Sequence, residues 1–208
     1  MLSALEALVR LRDGNRRFVA DGASVVDHHA RRATLVDGQE PFAIVLGCAD
    51  SRVPAELVFD AGFGDLFVIR VAGNIVAPSQ VGSVEFAAAY FGTRLVVVMG
   101  HSQCGAVIAT LDELQGRAKS ESRNLRSIVN RVRPAVATVL EAHAGALDAD
   151  ALVHEACRAN VRAAAEHLRH GSELLEKLIA SDGLLVVGAE YSLESGVVDF
   201  FDGVPEGA

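Results

Sequence analysis

Two cysteines and a histidine, Cys48, His101 and Cys104, carry the strongest chemical signal in this chain. Thiolate and imidazole suit Zn²⁺, and three protein ligands with a fourth position left open is the catalytic arrangement, whereas structural sites are closed by four. The neighbours of these residues fit that chemistry. Asp50 and Arg52 stand two apart, so extended chain would put both on one side, within reach of a bidentate carboxylate–guanidinium pair. His101 and Cys104 stand three apart, so a first helical turn would present both side chains to one point. Cys104 and Gly105 open the following helix, where unpaired N–H groups and the dipole favour a thiolate. Ser51 reads as a helix cap ahead of Pro54.

The charge count explains why Asp50 matters. Two thiolates already cancel the two positive charges of a zinc ion. If Asp50 coordinated as well, the tetrahedron would be full and no water could bind. Arg52 competes for that carboxylate. With Asp50 held by Arg52, a water can take the fourth place, lose a proton at a pKa of roughly 7 in favourable sites and become a hydroxide nucleophile. The pattern therefore implies two states balanced by pH: Asp50 on zinc and inactive, or Asp50 on Arg52 and active. The competing readings are a structural zinc with Asp50 as permanent fourth ligand and a Cys48–Cys104 redox pair. The redox pair lacks a C-x-x-C motif and leaves His101 unexplained. A zinc deaminase would need H-x-E and P-C-x-x-C, neither of which occurs.

Both motifs begin where an apolar run stops. PFAIVLG (41–47), DLFVIRVAG (65–73) and RLVVVMG (94–100) are short, rich in branched residues and ended by glycine, as buried strands of a parallel sheet should be. PAELVFD and SVEFAAAYFG between them read as helices, so the order is that of an α/β sheet flanked by helices. In such sheets the carboxyl ends of the strands face a ligand-binding crevice, and both motifs fall there. The chain opens with an amphipathic helix whose stop is expected at Gly14 and Asn15. A polar stretch, roughly 21–40, follows. Helices are expected from Cys104 to about 116, from about 122 to Ala142 with an interruption at Pro134, and over 150–181 with a break at Gly171. LLVVGAEYSL and GVVDFF close the chain as an antiparallel hairpin. Cys157 lies on a helical stripe with Val153, Asn160, Val161, Ala164 and Leu168 and reads as a packed free thiol. His28, His29, His143, His154, His167 and His170 read as solvated surface rather than as proton shuttles.

The bulk numbers bound the rest. With 208 residues, half of them apolar, the chain reads as one domain over 1–208 with a full core. A formal charge of -8 opposes binding to nucleic acid and to anionic membranes. No apolar run reaches the ~18 residues needed to cross a bilayer. The N-terminal segment lacks the apolar core of a secretory signal, and three cysteines suit a reducing cytosol, so a cytoplasmic protein is expected.

Cys48-Ala49-Asp50-Ser51-Arg52 followed by His101-Ser102-Gln103-Cys104-Gly105 resembles the signature of the β-class carbonic anhydrases. The similarity extends from Gly14, Asn15 and Phe18 through Gln39 and the segment Arg70 to Asn74 to the closing hairpin. The resemblance implies a β-carbonic anhydrase fold and the reversible hydration of carbon dioxide to bicarbonate, by attack of zinc-bound hydroxide. It makes Cys48, His101 and Cys104 the ligands of one Zn²⁺ per subunit and Asp50 with Arg52 the catalytic dyad. It implies a homodimer or larger assembly with the cleft at the subunit interface, lined by Gln39, Phe67 and Phe86. The N-terminal helical arm, 1–40, would pack on the partner subunit. Val53, Phe67, Ala72 and Phe86 could wall a pocket for apolar carbon dioxide, and a backbone N–H near Gly105 could bind the developing anion. A second, inhibitory bicarbonate pocket known in one subgroup is not expected, because Val45 stands where that pocket needs Trp, although Arg70 and Tyr191 match. Relatives that hydrolyse carbon disulfide or carbonyl sulfide keep the same metal signature and supply the alternative substrate. A non-catalytic zinc-binding dimer is the alternative outside enzymes.

Overall fold

In the computed structural model of this chain, residues 2–22, 28–119, 122–143 and 145–207 are described, with backbone only at 28 and 29. Part of the polar 21–40 stretch therefore lies outside the described residues. Of the five strands among the described residues, three match the apolar runs at 41–47, 65–73 and 94–100: β1 (Ala43–Gly47), β2 (Leu66–Arg70) and β3 (Leu95–His101). With β4 (Leu185–Tyr191) and β5 (Val198–Asp202) they form a single sheet in the order β2-β1-β3-β4-β5. All neighbours run parallel except β4 and β5, the C-terminal hairpin.

Alternation along the strands builds two cores. Ala43 and Val45 of β1, with Val97 and Met99 of β3, face α1 (Ala4–Val19) and α3 (Ala55–Val58). Ile44 and Leu46, with Val96 and Val98, face α4 (Pro78–Tyr90), α7 (Ala149–His170) and α8 (Glu173–Ser181). Both faces are covered, so β1 and β3 are buried at every position and read as unbroken apolar runs. A third apolar cluster, around α5 (Gly105–Leu114), α6 (Arg123–His143) and α7, closes over the carboxyl end of the sheet. A short α2 (His28–Ala33) occupies part of the polar N-terminal stretch.

Three local expectations are corrected. The helix α1 does not stop at Gly14 and Asn15 but runs on to Val19. A Cβ at Gly14 would sit 2.0 Å from the Phe59 carbonyl oxygen, so glycine is there for a close approach of helix to backbone, not for a break. The helix α6 continues through Pro134 without interruption. Ser51 caps nothing: the N-cap of α3 is Pro54, with no side-chain cap bond. The apolar stripe of α1, including Ala7, Leu8 and Leu11, is seated on its own subunit's core. Its outer face carries Leu5 and Val9, each about half exposed.

Candidate metal centre

The chain runs outward from β1 to β2 on one side and from β3 to β4 on the other, while β1 and β3 are neighbours. Their carboxyl ends therefore flank the crevice where strand order reverses, the place where open α/β sheets bind ligands. Cys48 follows the last residue of β1, and His101 is the last residue of β3. A tight turn through Gln103, at φ 55°, then delivers Cys104 as the N-cap of α5. The expected helical turn between His101 and Cys104 is thus a strand-to-helix turn, which brings the two ligand atoms together all the same.

The ligand atoms of Cys48, His101 and Cys104 all lie within 4.8 Å of one another, and all three residues are buried. His101 is fully enclosed, and its Nε2 has no hydrogen-bond partner. The other ring nitrogen, Nδ1, lies 2.9 Å from the Ser102 carbonyl oxygen, which can only accept, so the geometry assigns the proton to Nδ1. That tautomer leaves a bare Nε2 lone pair among the sulfurs, as a metal-binding imidazole requires.

The protonation chemistry agrees. The neighbouring Cys104 thiol holds Cys48 well below the ordinary thiol value. Cys104 is pushed the other way, chiefly because its interaction with Cys48 favours keeping its proton and because burial opposes its charge. Burial opposes charge on His101, yet the Cys48 thiolate outweighs it and raises its pKa. A divalent cation bound among these three groups would displace the protons of the thiols. The residues fit a metal ion.

Asp50 stands beside this cluster. Its Oδ1 accepts from Arg52 Nε at 2.9 Å and its Oδ2 from Arg52 Nη2 at 2.8 Å. The Arg52 backbone N–H adds a third bond to Oδ1, so the segment is a turn rather than the extended chain expected. The Arg52 guanidinium holds the Asp50 carboxyl well below the usual carboxylate range. Asp50 Oδ2 is 3.9 Å from His101 Nε2. A carboxylate within a short swing of the ligand cluster is thus held by a cation on its outer side.

The remaining predicted residues fall into separate groups. Ala72 opens a 3₁₀ turn at 72–74 and Gly105 opens α5, both next to the ligands. Val53 is packed in the core with Val58 and Phe59. Phe67 lies three residues before the end of β2, about 10 Å back along the strand. Its ring is 6.3 Å from that of Phe86 and 6.0 Å from that of Phe91. Gln39 lines a groove with Phe63 and Phe91. Gln39, Phe67 and Phe86 therefore gather around Phe91, apart from the ligands of the same chain. A 770 Å³ cavity between α4, α6 and α7 has no ligand residue in its lining.

Sequence reasoning missed the braces of the site. Arg70 donates through Nε to the Cys48 carbonyl and through Nη2 to the Asp50 carbonyl, tying the loop to the end of β2. Ser102 binds β4 through its N–H to Tyr191 O and accepts the Leu193 N–H at Oγ. The Gly73 N–H donates to Cys48 Sγ at 3.3 Å. Only Gly73, inside a glycine-asparagine pair after a strand, gave a local signal; the others depend on partners distant in sequence. His154, read as solvated, pairs with the buried Glu190 at 3.1 Å. Cys157 is buried as expected, and burial pushes its thiol up to about 12.

Comparison with known proteins agrees with this geometry. The carbonic anhydrase family model matches residues 43–198. A carbonic anhydrase of Mycolicibacterium smegmatis is 40% identical over 191 residues, covering 91% of this chain and 89% of that protein. Carbonic anhydrase 2 of Mycobacterium tuberculosis is 38% identical over 190 residues, covering 89% and 87%. Among solved structures, the β-carbonic anhydrase CafA of Aspergillus fumigatus superposes with a TM-score of 0.74 at 26% identity, covering 97% of this chain and 91% of that one. A tetrameric β-carbonic anhydrase of Sordaria macrospora gives 0.71 at 25% identity, covering 94% and 97%. The chain belongs to the β-carbonic anhydrase family.

Proposed function

We propose that this protein catalyses the reversible hydration of carbon dioxide to bicarbonate and a proton, with Cys48, His101 and Cys104 holding one Zn²⁺. The observation that carries the reading is the meeting of two buried thiols and the bare His101 Nε2 beside an Asp50 already engaged by Arg52. Zinc, when bound, supplies the Lewis acidity that makes hydroxide available from water near neutral pH.

The chain's own groups do the rest. The Ser102 carbonyl fixes the His101 tautomer and ring plane. Arg52 keeps Asp50 out of the fourth ligand position, and the free lone pairs of Asp50 accept a proton-bearing donor near His101 Nε2, orienting it. The N–H groups at the start of α5, beside Gly105, offer partial positive charge to a forming anion. Swinging Asp50 onto the metal would close the site, so the Arg52 pair is the active arrangement. Ala72 supplies apolar wall near the ligands, whereas Val53, expected to line the pocket as well, is packed in the core. Gln39, Phe67 and Phe86 sit too far away within one chain, and we assign them to a cleft completed by a second copy, hence a homodimer. Exposed aromatic surface at Phe86 and Tyr90 supports that assignment.

No helix among the described residues is long and apolar enough to cross a membrane. The free thiols fit a reducing compartment, and we place the protein in the cytoplasm. The relatives named above favour carbon dioxide over carbon disulfide or carbonyl sulfide as substrate. The test is stopped-flow carbon dioxide hydration by zinc-loaded protein between about pH 6.5 and 9, a window spanning the pKa of roughly 7 expected for the water. Activity that rises with pH, and falls on the order of 10–100-fold in Arg52→Ala, is expected. No hydration at any pH would overturn the reading.

A further inference from the structure

Behind the ligands lies a relay that joins α7 to Cys48. The Gly73 N–H donates to Cys48 Sγ, and the Gly73 carbonyl accepts from Asn160 Nδ2 at 2.9 Å. Residue 73 is thus held from both ends, by a ligand sulfur and by a helix. Its backbone is left-handed, at φ 70°, and a Cβ there would meet the Ala106 Cβ at 2.9 Å. Gly73 therefore cannot gain a side chain without displacing α5, and its peptide groups have one packed orientation.

Asn160 is suited to set that orientation. It is only 4% exposed, a rare state for an asparagine on a helix facing an apolar core, and its amide reaches across 87 residues of sequence to one carbonyl. The helix that carries it is itself fixed beside His101. At Gly100, the residue before His101, an added Cβ would lie 2.5 Å from Val161 Cγ2, and one at Gly188 of β4 would lie 2.9 Å from Val161 Cγ1. Val161 fills the hole between the two glycines, and Asn160 is its chain neighbour. The same turn of α7 thus registers against the end of β3 and against the Gly73 carbonyl. One helix braces the strand that ends in His101 and the turn that donates to Cys48.

We infer that Asn160 is a positioning residue of the metal centre, acting through the Gly73 peptide to hold an N–H on the Cys48 sulfur. The inference rests on the proposed metal-binding role of Cys48. Without the Asn160 amide, the Gly73 carbonyl loses its buried donor and the Gly73 N–H loses the restraint that aims it. Outer-shell partners of this kind tune ligand orientation and basicity, and their loss costs about 10–100-fold in metal affinity.

The experiment measures zinc affinity by chelator competition, and the sulfur-to-cobalt charge-transfer band of Co²⁺-loaded protein, in wild type, Asn160→Ala, Asn160→Asp and Leu168→Ala. Asn160→Asp keeps the shape and removes the donated N–H. Leu168→Ala removes an equally buried side chain two turns along α7 and controls for general destabilisation. Both Asn160 variants should bind zinc about 10–100-fold more weakly and shift the charge-transfer band, while Leu168→Ala leaves both unchanged. Asn160 variants that lose thermal stability but match wild type in affinity and band would overturn the inference, leaving Asn160 a cap for a carbonyl. Should neither variant fold, the wild-type protein decides. The Gly73 amide and the Asn160 side-chain amide should both shift in the ¹⁵N spectrum on Cd²⁺ loading, and unmoved resonances would overturn it. A wild type that takes up no metal would remove the ligand reading itself.

Discussion

Asn15 ties three distant segments together, and its replacement gives a sharp test of the fold that carries the site. Its Nδ2 donates to Val58 O at 3.1 Å and to Gly196 O at 2.9 Å, and its Oδ1 accepts the Val198 N–H at 2.9 Å. Asn15→Ala strips all three bonds. Gly196 is partly exposed, so water can replace its partner, but the Val58 carbonyl and the Val198 N–H are buried and stay unpaired. At about 1–3 kcal/mol for each orphaned buried group, the loss is roughly 2–6 kcal/mol. For a chain of this size each kcal/mol moves the melting point by about 2–4 °C, so the transition should fall by about 4–24 °C. Asn15→Asp keeps the acceptor for Val198 but sets a carboxylate oxygen against two carbonyls, so it should melt no higher than Asn15→Ala. The assay is thermal unfolding of the metal-free proteins at one concentration. A melting point within about 1 °C of wild type for Asn15→Ala would show that the network is not formed.

Two further outcomes follow from the same geometry. Gly100→Ala pushes a Cβ to 2.5 Å from Val161 Cγ2 and should cost about 1–3 kcal/mol by overpacking. Val161→Ala in the same chain should recover part of that loss, measured as a coupling energy in a double-mutant cycle. Asp50 tests the Arg52 pair. Because Arg52 depresses its folded pKa, the stabilisation is complete above the ordinary carboxylate value of about 3.9 and is lost only as pH falls through the lower folded value. The Asp50 carboxyl should therefore show no titration above about pH 4 by ¹³C NMR, and Arg52→Ala should raise its midpoint. A midpoint unaffected by Arg52→Ala would contradict the pairing.

The sheet was legible because its inner strands are buried on both faces: AIVLG and LVVVMG have no polar face to confuse with a helix. The meeting of Cys48, His101 and Cys104 was legible for a related reason, since each motif starts where such a run ends. Sequence misread Gly14 and Asn15 as a stop, because glycine followed by asparagine ends many helices. Here glycine admits the Phe59 carbonyl and asparagine serves partners 43 and 181 to 183 residues away, which no local window contains. Asn160 was hidden likewise: on a helical wheel it was one polar residue in an apolar stripe. The Asp50–Arg52 pair was anticipated from extended chain but forms across a turn, so the residue types were right and the backbone was not. The gathering of Gln39 and Phe86 around Phe91, away from the ligands, could not be read from spacing.

Cys48, His101 and Cys104 are proposed to hold one zinc ion together. X-ray absorption at the zinc edge of loaded protein tests this assignment most directly. One zinc per chain is expected, with two sulfur neighbours at about 2.3 Å, one nitrogen at about 2.0–2.1 Å and a single light atom completing four. One sulfur should disappear in Cys48→Ser and in Cys104→Ser. A shell with other than two sulfurs, or a Cys48→Ser protein that keeps wild-type zinc content and an unchanged spectrum, would contradict the assignment.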